Sequence, residues 1–212
     1  MFTLEPTECG IRTPSLKELY AARGYVRSMK VIGTVGLPGS GKGEAAAVAE
    51  EAGVPVVTMG DVVREECRRR GLDPADHHGE IAQRLREEDG PDAIAQRTLP
   101  PVREHLDEHE TVLIDGIRSA VEVERFREAF GDDFLLVSVE APFELRRERV
   151  ADRGRDNVDG DGNGEPLEAR DERELGFGMG EAMDDADVTI ENTGTLESFQ
   201  ERIRELLEAA DP

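Results

Sequence analysis

Gly36, Gly41 and Lys42 fall in the spacing G-x-x-x-x-G-K inside "VIGTVGLPGSGKGE", residues 31–44. Glycines at those places let the backbone curl until successive N–H groups converge on phosphate oxygens, and the positive end of the following helix favours the same anion. The lysine then reaches the outer phosphates. The binding candidates are Gly36, Leu37, Pro38, Gly39, Ser40, Gly41, Lys42, Gly43 and Glu44. The ligand they imply is a nucleoside triphosphate.

Transfer of a phosphoryl group asks a protein for charge neutralisation and alignment more than for covalent chemistry. Converging arginines suit that task, because the guanidinium is a planar, permanently charged fork. Asp115 ends an apolar run, the place from which a carboxylate can support a metal through water. Asp61 reads both as the cap of a helix over 61–70 and as an acceptor-site carboxylate. "HLDEH" (105–109) matches an H-x-x-E-H zinc-peptidase pattern on an expected helix, but it lacks a third ligand and reads as a wet helix face. Cys67 reads as a packed thiol, and His77–His78 as part of a polar loop over "LDPADHHG".

The elements that must position these groups alternate. "VIGTV", "VPVVT", "TVLID", "DFLLVSVE" and "ADVTIEN" are strand candidates, with near-continuous apolar runs as expected of strands buried on both faces. Helical patterns separate them, and Pro100–Pro101 is expected to break one. The fold expected is an α/β doubly wound, parallel, five-stranded sheet with ligand at the carboxyl ends of its strands. Residues 1–28 read as an N-terminal extension and 29–212 as the domain. Within it, 60–108 reads as an acceptor-side helical insertion and 154–174 as a short lid containing the polar run "DGDGNG".

The chain has 212 residues and a formal net charge of -22, and its lysines are Lys17, Lys30 and Lys42, so its cations are nearly all arginine. Such a surface excludes a general nucleic-acid groove, which needs positive charge against the phosphate backbone. The composition resembles that of proteins from salt-in halophiles. With no apolar run of membrane-spanning length and two cysteines, the reading is a cytoplasmic protein without a membrane partner.

Together the segments resemble the adenylate-kinase-like nucleoside monophosphate kinases, and in detail an archaeal family of P-loop nucleotide-kinase-like ATPases. The likeness covers most of residues 30–208. "GLPGSGKG" is similar to the kinase phosphate loop, with Gly43 where most such loops carry Ser or Thr and Glu44 where adenylate kinases carry Thr. "GDVVRE" resembles the acceptor-binding segment and "LIDGIRS" the strand end with a second acceptor arginine, which implies that Asp61, Arg64 and Arg118 hold the acceptor. "PFELRRERVADR" resembles the helix into the lid, implying phosphate-contacting roles for Arg149 and Arg153, with Arg170 as the returning lid arginine and Arg173 a loose substitute for its companion. "ADVTIENTGTLESF" is similar to the segment beside the adenine in dephospho-CoA kinases, which implies that Asn192 contacts ATP. The resemblance implies ATP and Mg2+ as cofactors and small nucleotide substrates as partners. The function expected is transfer of the ATP γ-phosphoryl group to a small acceptor, catalysed by Lys42, Arg118, Arg149 and Arg153. A P-loop ATPase or nucleotide-dependent switch without an acceptor is the alternative.

Overall fold

The computed structural model describes residues 31–156 and 166–210. The expected extension, 1–28, and residues 157–165 of the expected lid lie outside the described residues. The apolar runs form five strands: β1 (Val31–Val35), β2 (Val56–Thr58), β3 (Val112–Asp115), β4 (Phe134–Glu140) and β5 (Val188–Glu191). They pair in the order β2-β3-β1-β4-β5, every neighbour parallel. In β1, Val31 lies opposite both Val112 and Phe134, so the phosphate loop leaves the middle of the sheet between the ends of β3 and β4.

Nine helices connect the described strands: α1 (Lys42–Glu51), α2 (Met59–Arg69), α3 (Pro74–Asp89), α4 (Ala93–Leu106), α5 (Ala120–Phe130), α6 (Phe143–Asp156), α7 (Leu167–Gly176), α8 (Met179–Asp184) and α9 (Leu196–Ala210). The strand period of two divides the core. Val31, Val35, Val112, Ile114 and Leu136 pack with α2 to α5 and α8, through residues such as Val63, Leu85, Val102, Phe126 and Met179. Ile32, Leu113, Leu135 and Val137 pack on the other face with Val48 of α1 and with Phe199, Ile203 and Leu206 of α9. Both faces are covered, as the unbroken apolar strands require.

Two expectations are corrected here. Of the loop expected over 72–79, residues 74–79 are helical: Asp73 accepts a hydrogen bond from Ala75 N at 2.9 Å and Pro74 occupies the first turn, so "PADHHG" opens α3. An acceptor side chain followed by proline is a helix start, and it outweighs the polar composition. Nor do Pro100 and Pro101 break the path, since α4 runs through both. Ala95, Thr98 and Val102 are buried on its inner side, so packing offsets the lost backbone bonds. That helix ends at Leu106, leaving His109 beyond it with its ring 6.1 Å from that of His105. Cys67 is buried and free.

With 48 acidic against 26 basic residues, the surface repels itself at low ionic strength. The melting temperature should climb strongly between dilute buffer and molar KCl as that repulsion is screened. A melting curve indifferent to salt over this range would refute a salt-dependent fold.

Candidate active site

Immediately after β1 the chain makes the turn that its glycines permit. Gly36 and Gly41 have φ of 147° and 119°, values that L side chains rarely adopt. A Cβ at Gly36 would run into the Val139 carbonyl, and one at Gly41 into Nδ2 of Asn192. Ser40 is 1% exposed and its Oγ has no hydrogen-bond partner. A buried hydroxyl left unsatisfied inside a loop of this shape is a polar group waiting for a ligand.

Lys42 opens α1 and folds back over the loop, where its Nζ donates to the carbonyls of Gly36 and, at 3.4 Å, Leu37. Burial pulls its ammonium down to about 8; Asp115 and Glu174 act against that shift, and Arg118 and Arg146 add to it. The charges that act on this one lysine thus come from three different elements and a loop. The Gly36 N–H points to the sulfur of Met179 at 3.4 Å. Glu44 accepts from Gln200 of α9 at 2.6 Å, so its carboxylate ties α1 to that helix.

The loop is held from behind by residues far along the chain. Asn192 donates from Nδ2 to the Ser40 carbonyl at 2.8 Å, and Arg149 donates to the carbonyl and Oδ1 of Asn192, both at 3.0 Å, and more weakly to Ser40 O. The structure thus sets the amide of Asn192 and one nitrogen of Arg149 on the loop itself. Pro38 and Gly39 are braced by Arg146, which the sequence reading passed over. Its guanidinium, on a residue 4% exposed, forks onto Asp171 of α7 at 2.8 and 2.7 Å while also donating to Pro38 O at 3.0 Å and Ala141 O at 3.1 Å. Helical spacing places 146, 149 and 153 on one face of α6, but it does not reveal the distant partner that defines the part Arg146 plays. Arg170 on α7 has a buried Nε without a partner. The side chain of Arg153 lies outside the described residues.

On the other side of the loop, Asp115 at the end of β3 accepts from Thr34 Oγ1 at 3.1 Å. Arg118 follows in the loop to α5, with Nη1 on Glu174 of α7 at 3.0 Å and its backbone N–H on Glu122 at 2.9 Å. Asp61 is not the cap of its helix, because α2 starts two residues earlier at Met59 with Thr58 at the cap position; it lies in the first turn, exposed, and pairs with the partly exposed Arg64 at 2.8 Å. The guanidinium of Arg64 lies over Gly60, and Gly116 packs against Met59 and Gly60, so the start of α2 lies against the end of β3.

The cradle fits phosphate, and for Mg2+ the chain offers Asp115. Among the described residues there is no cluster of three or more metal-ligating side chains. Gly43 supplies no hydroxyl, although a Cβ there would meet nothing within 4 Å. A magnesium ion held mainly by the nucleotide's own phosphates is in keeping with that donor set.

A family model described as an AAA domain matches residues 35–164. A UPF0200 protein of Halobacterium salinarum is 62% identical over 184 residues, covering 87% of this chain and 95% of its own. One from Methanothrix thermoacetophila is 53% identical over 183 residues, covering 85% and 97%. Among solved structures, TT1252 of Thermus thermophilus superposes with a TM-score of 0.57 at 22% identity, covering 88% of this chain and 100% of that one. Dephospho-CoA kinase of Campylobacter jejuni gives 0.53 at 14% identity, covering 84% and 95%. These likenesses give the fold, that of the P-loop kinases, and no helix among the described residues is long and apolar enough to cross a membrane. At such identity and coverage, the chain belongs to the UPF0200 family.

Proposed function

We propose that the protein is an ATP-dependent phosphotransferase of the nucleotide-kinase type, acting in the cytoplasm on a small, nucleotide-like acceptor. The observation that carries this reading is the set of charged groups beside one phosphate loop: Lys42 folded onto the Gly36 carbonyl, Arg146 on the Pro38 carbonyl at 3.0 Å, Arg149 on that of Ser40, and Asp115 bonded at 3.1 Å to Thr34 of the strand that leads into the loop, with Arg118 in the segment that follows Asp115. A loop built only to hold a nucleotide needs its own backbone and lysine, whereas a transfer site also needs charges on the side where the second substrate arrives.

In this reading the backbone from Gly36 to Gly43 and Lys42 hold the triphosphate, and Ser40 Oγ finds its missing partner there. Arg149 and Asn192 keep the loop in shape, Arg170 faces the lid side, and Arg153 belongs to the same helix face as Arg149. Mg2+, when bound, would neutralise charge on the outer phosphates, with Asp115 holding it through water. Arg64 and Arg118 line the acceptor side. The acceptor oxygen bonds to the γ-phosphorus as the bond to the bridging oxygen breaks, and ADP leaves. A screen of nucleoside monophosphates and dephospho-CoA for ADP production in molar KCl tests the reading.

Arg64→Ala and Arg118→Ala separate the two substrates. Each variant should weaken the acceptor found by that screen roughly ten- to hundredfold, the cost of about 1.5–3 kcal/mol for a lost charge-assisted bond, and leave ATP nearly unaffected. Paired titrations with ATP and acceptor read the difference. Equal losses of both, or of neither, would instead favour a nucleotide-hydrolysing switch with no acceptor pocket.

A further inference from the structure

Glu174 is given no chemical role in the reading above, although it is the buried partner of Arg118. The residue is 7% exposed, and among the described residues its side chain takes one hydrogen bond, from Arg118 Nη1 at 3.0 Å. It is one of the two carboxylates that favour the charge on Lys42. The other, Asp115, is already committed to Thr34 Oγ1 and stands on the metal side. Asp61 is exposed and paired with Arg64.

A phosphate acceptor would bring a second anion to Arg118, whose guanidinium already meets a buried carboxylate. The two negative groups would repel each other across that guanidinium, which is itself 41% exposed while the carboxylate is buried. A hydroxyl brings no such conflict. It also carries a proton that must be lost during transfer, and a buried carboxylate with one oxygen uncommitted is suited to receive it. The other N–H groups of Arg118 take no partner among the described residues and can hold neutral oxygens of the acceptor.

We propose that Glu174 is the proton acceptor for a hydroxyl nucleophile, so that the acceptor is an alcohol and the product a phosphate ester instead of an anhydride. The proposal rests on the phosphotransferase reading and narrows it to one class of acceptor. The alcohol oxygen forms a bond to the γ-phosphorus, the bond to the bridging oxygen breaks with its electron pair leaving on ADP, and the hydroxyl proton passes to the Glu174 carboxylate and then to water.

The test first confirms ATP binding by the full chain in molar KCl; no binding there overturns the phosphotransferase reading itself. ATP is then incubated with AMP, CMP, GMP, UMP, the four corresponding nucleosides and dephospho-CoA, and the new linkage is identified by 31P NMR. A phosphate ester is expected and a new anhydride phosphate is not. Glu174→Gln should lower turnover by about 10²–10⁴-fold, the usual worth of a positioned base, with ATP affinity within about threefold of wild type. Glu174→Asp should recover part of it. If no probe is phosphorylated while Glu174→Gln lowers ATP hydrolysis by the same factor, the nucleophile is water and the alcohol proposal is overturned. Were phosphate the acceptor, Glu174→Gln would relieve Arg118 of a competing charge and speed the reaction. An anhydride product, or a Glu174→Gln variant as fast as wild type or faster, overturns the proposal while leaving the phosphotransferase reading standing.

Discussion

Lys42→Ala should lose ATP while keeping the fold. Removal of a charge-assisted phosphate contact costs about 1.5–3 kcal/mol, roughly ten- to 150-fold in affinity. The loss in transfer rate should be larger, on the order of 10²–10³, since the same ammonium stabilises charge that develops during the reaction. The residue also sets a pH dependence. Its ammonium titrates near 8 in the free protein, and bound phosphates favour the charged form. ATP affinity should therefore be complete below that pH and fall above it, by up to about tenfold per pH unit until the pKa of the complex is reached. For stability the sign is opposite to that of a paired lysine. The folded value is depressed below the ordinary lysine value of 10.5, so the cost of keeping Lys42 charged is fully present below about 8 and disappears as the pH rises toward 10.5. Lys42→Met should accordingly melt no lower than wild type at neutral pH. Calorimetric titrations across this range and one melting curve check the set; ATP affinity that the alanine variant retains would remove the basis for a phosphate loop.

Arg146→Ala is the substitution expected to damage the molecule most. It leaves Asp171 without its forked partner and takes a donor from the carbonyls of Pro38 and Ala141 at once. Breaking a buried pair from one side costs about 3–5 kcal/mol, because the remaining charge is stranded. In a chain of this length that is a fall of roughly 6–20 °C in melting temperature. Arg146→Lys should recover a minority of the loss, as an ammonium cannot fork onto a carboxylate. In the double variant Arg146→Ala, Asp171→Ala the stranded charge is gone, so its cost should be well below the sum of the two single changes. A fall of less than about 2 °C for Arg146→Ala would show that the pair braces nothing.

Five strands, their parallel pairing and the place of the phosphate loop were legible because buried parallel strands write themselves as apolar runs and a glycine-lysine spacing has few other uses. Local signals failed where tertiary packing or a short polar pattern decided. Pro100–Pro101 stays helical because Ala95, Thr98 and Val102 face the core around it, which no local propensity encodes. The start of α3 was legible in Asp73–Pro74 and was masked by the histidines behind it. In the candidate site, spacing pointed to Lys42, the end of an apolar strand to Asp115 and the family resemblance to Arg149. Arg146, Asp171 and Glu174 were hidden because each is defined by a partner in a distant segment, and an acidic residue has no distinctive signature in a chain this rich in carboxylates.

The bond from Asn192 to the carbonyl of Ser40 spans 152 positions. A ribosome making this chain finishes the phosphate loop early, but the strand that carries it gains its neighbours only with residues 112–115 and 134–140, and the amide that closes the loop comes after β5. Nascent chains released short of that point would carry the whole glycine-lysine motif and still lack the clamp that shapes it. On the proposed function, nucleotide capture would be a late event in biogenesis, open only to molecules in which β5 and Asn192 have already been made.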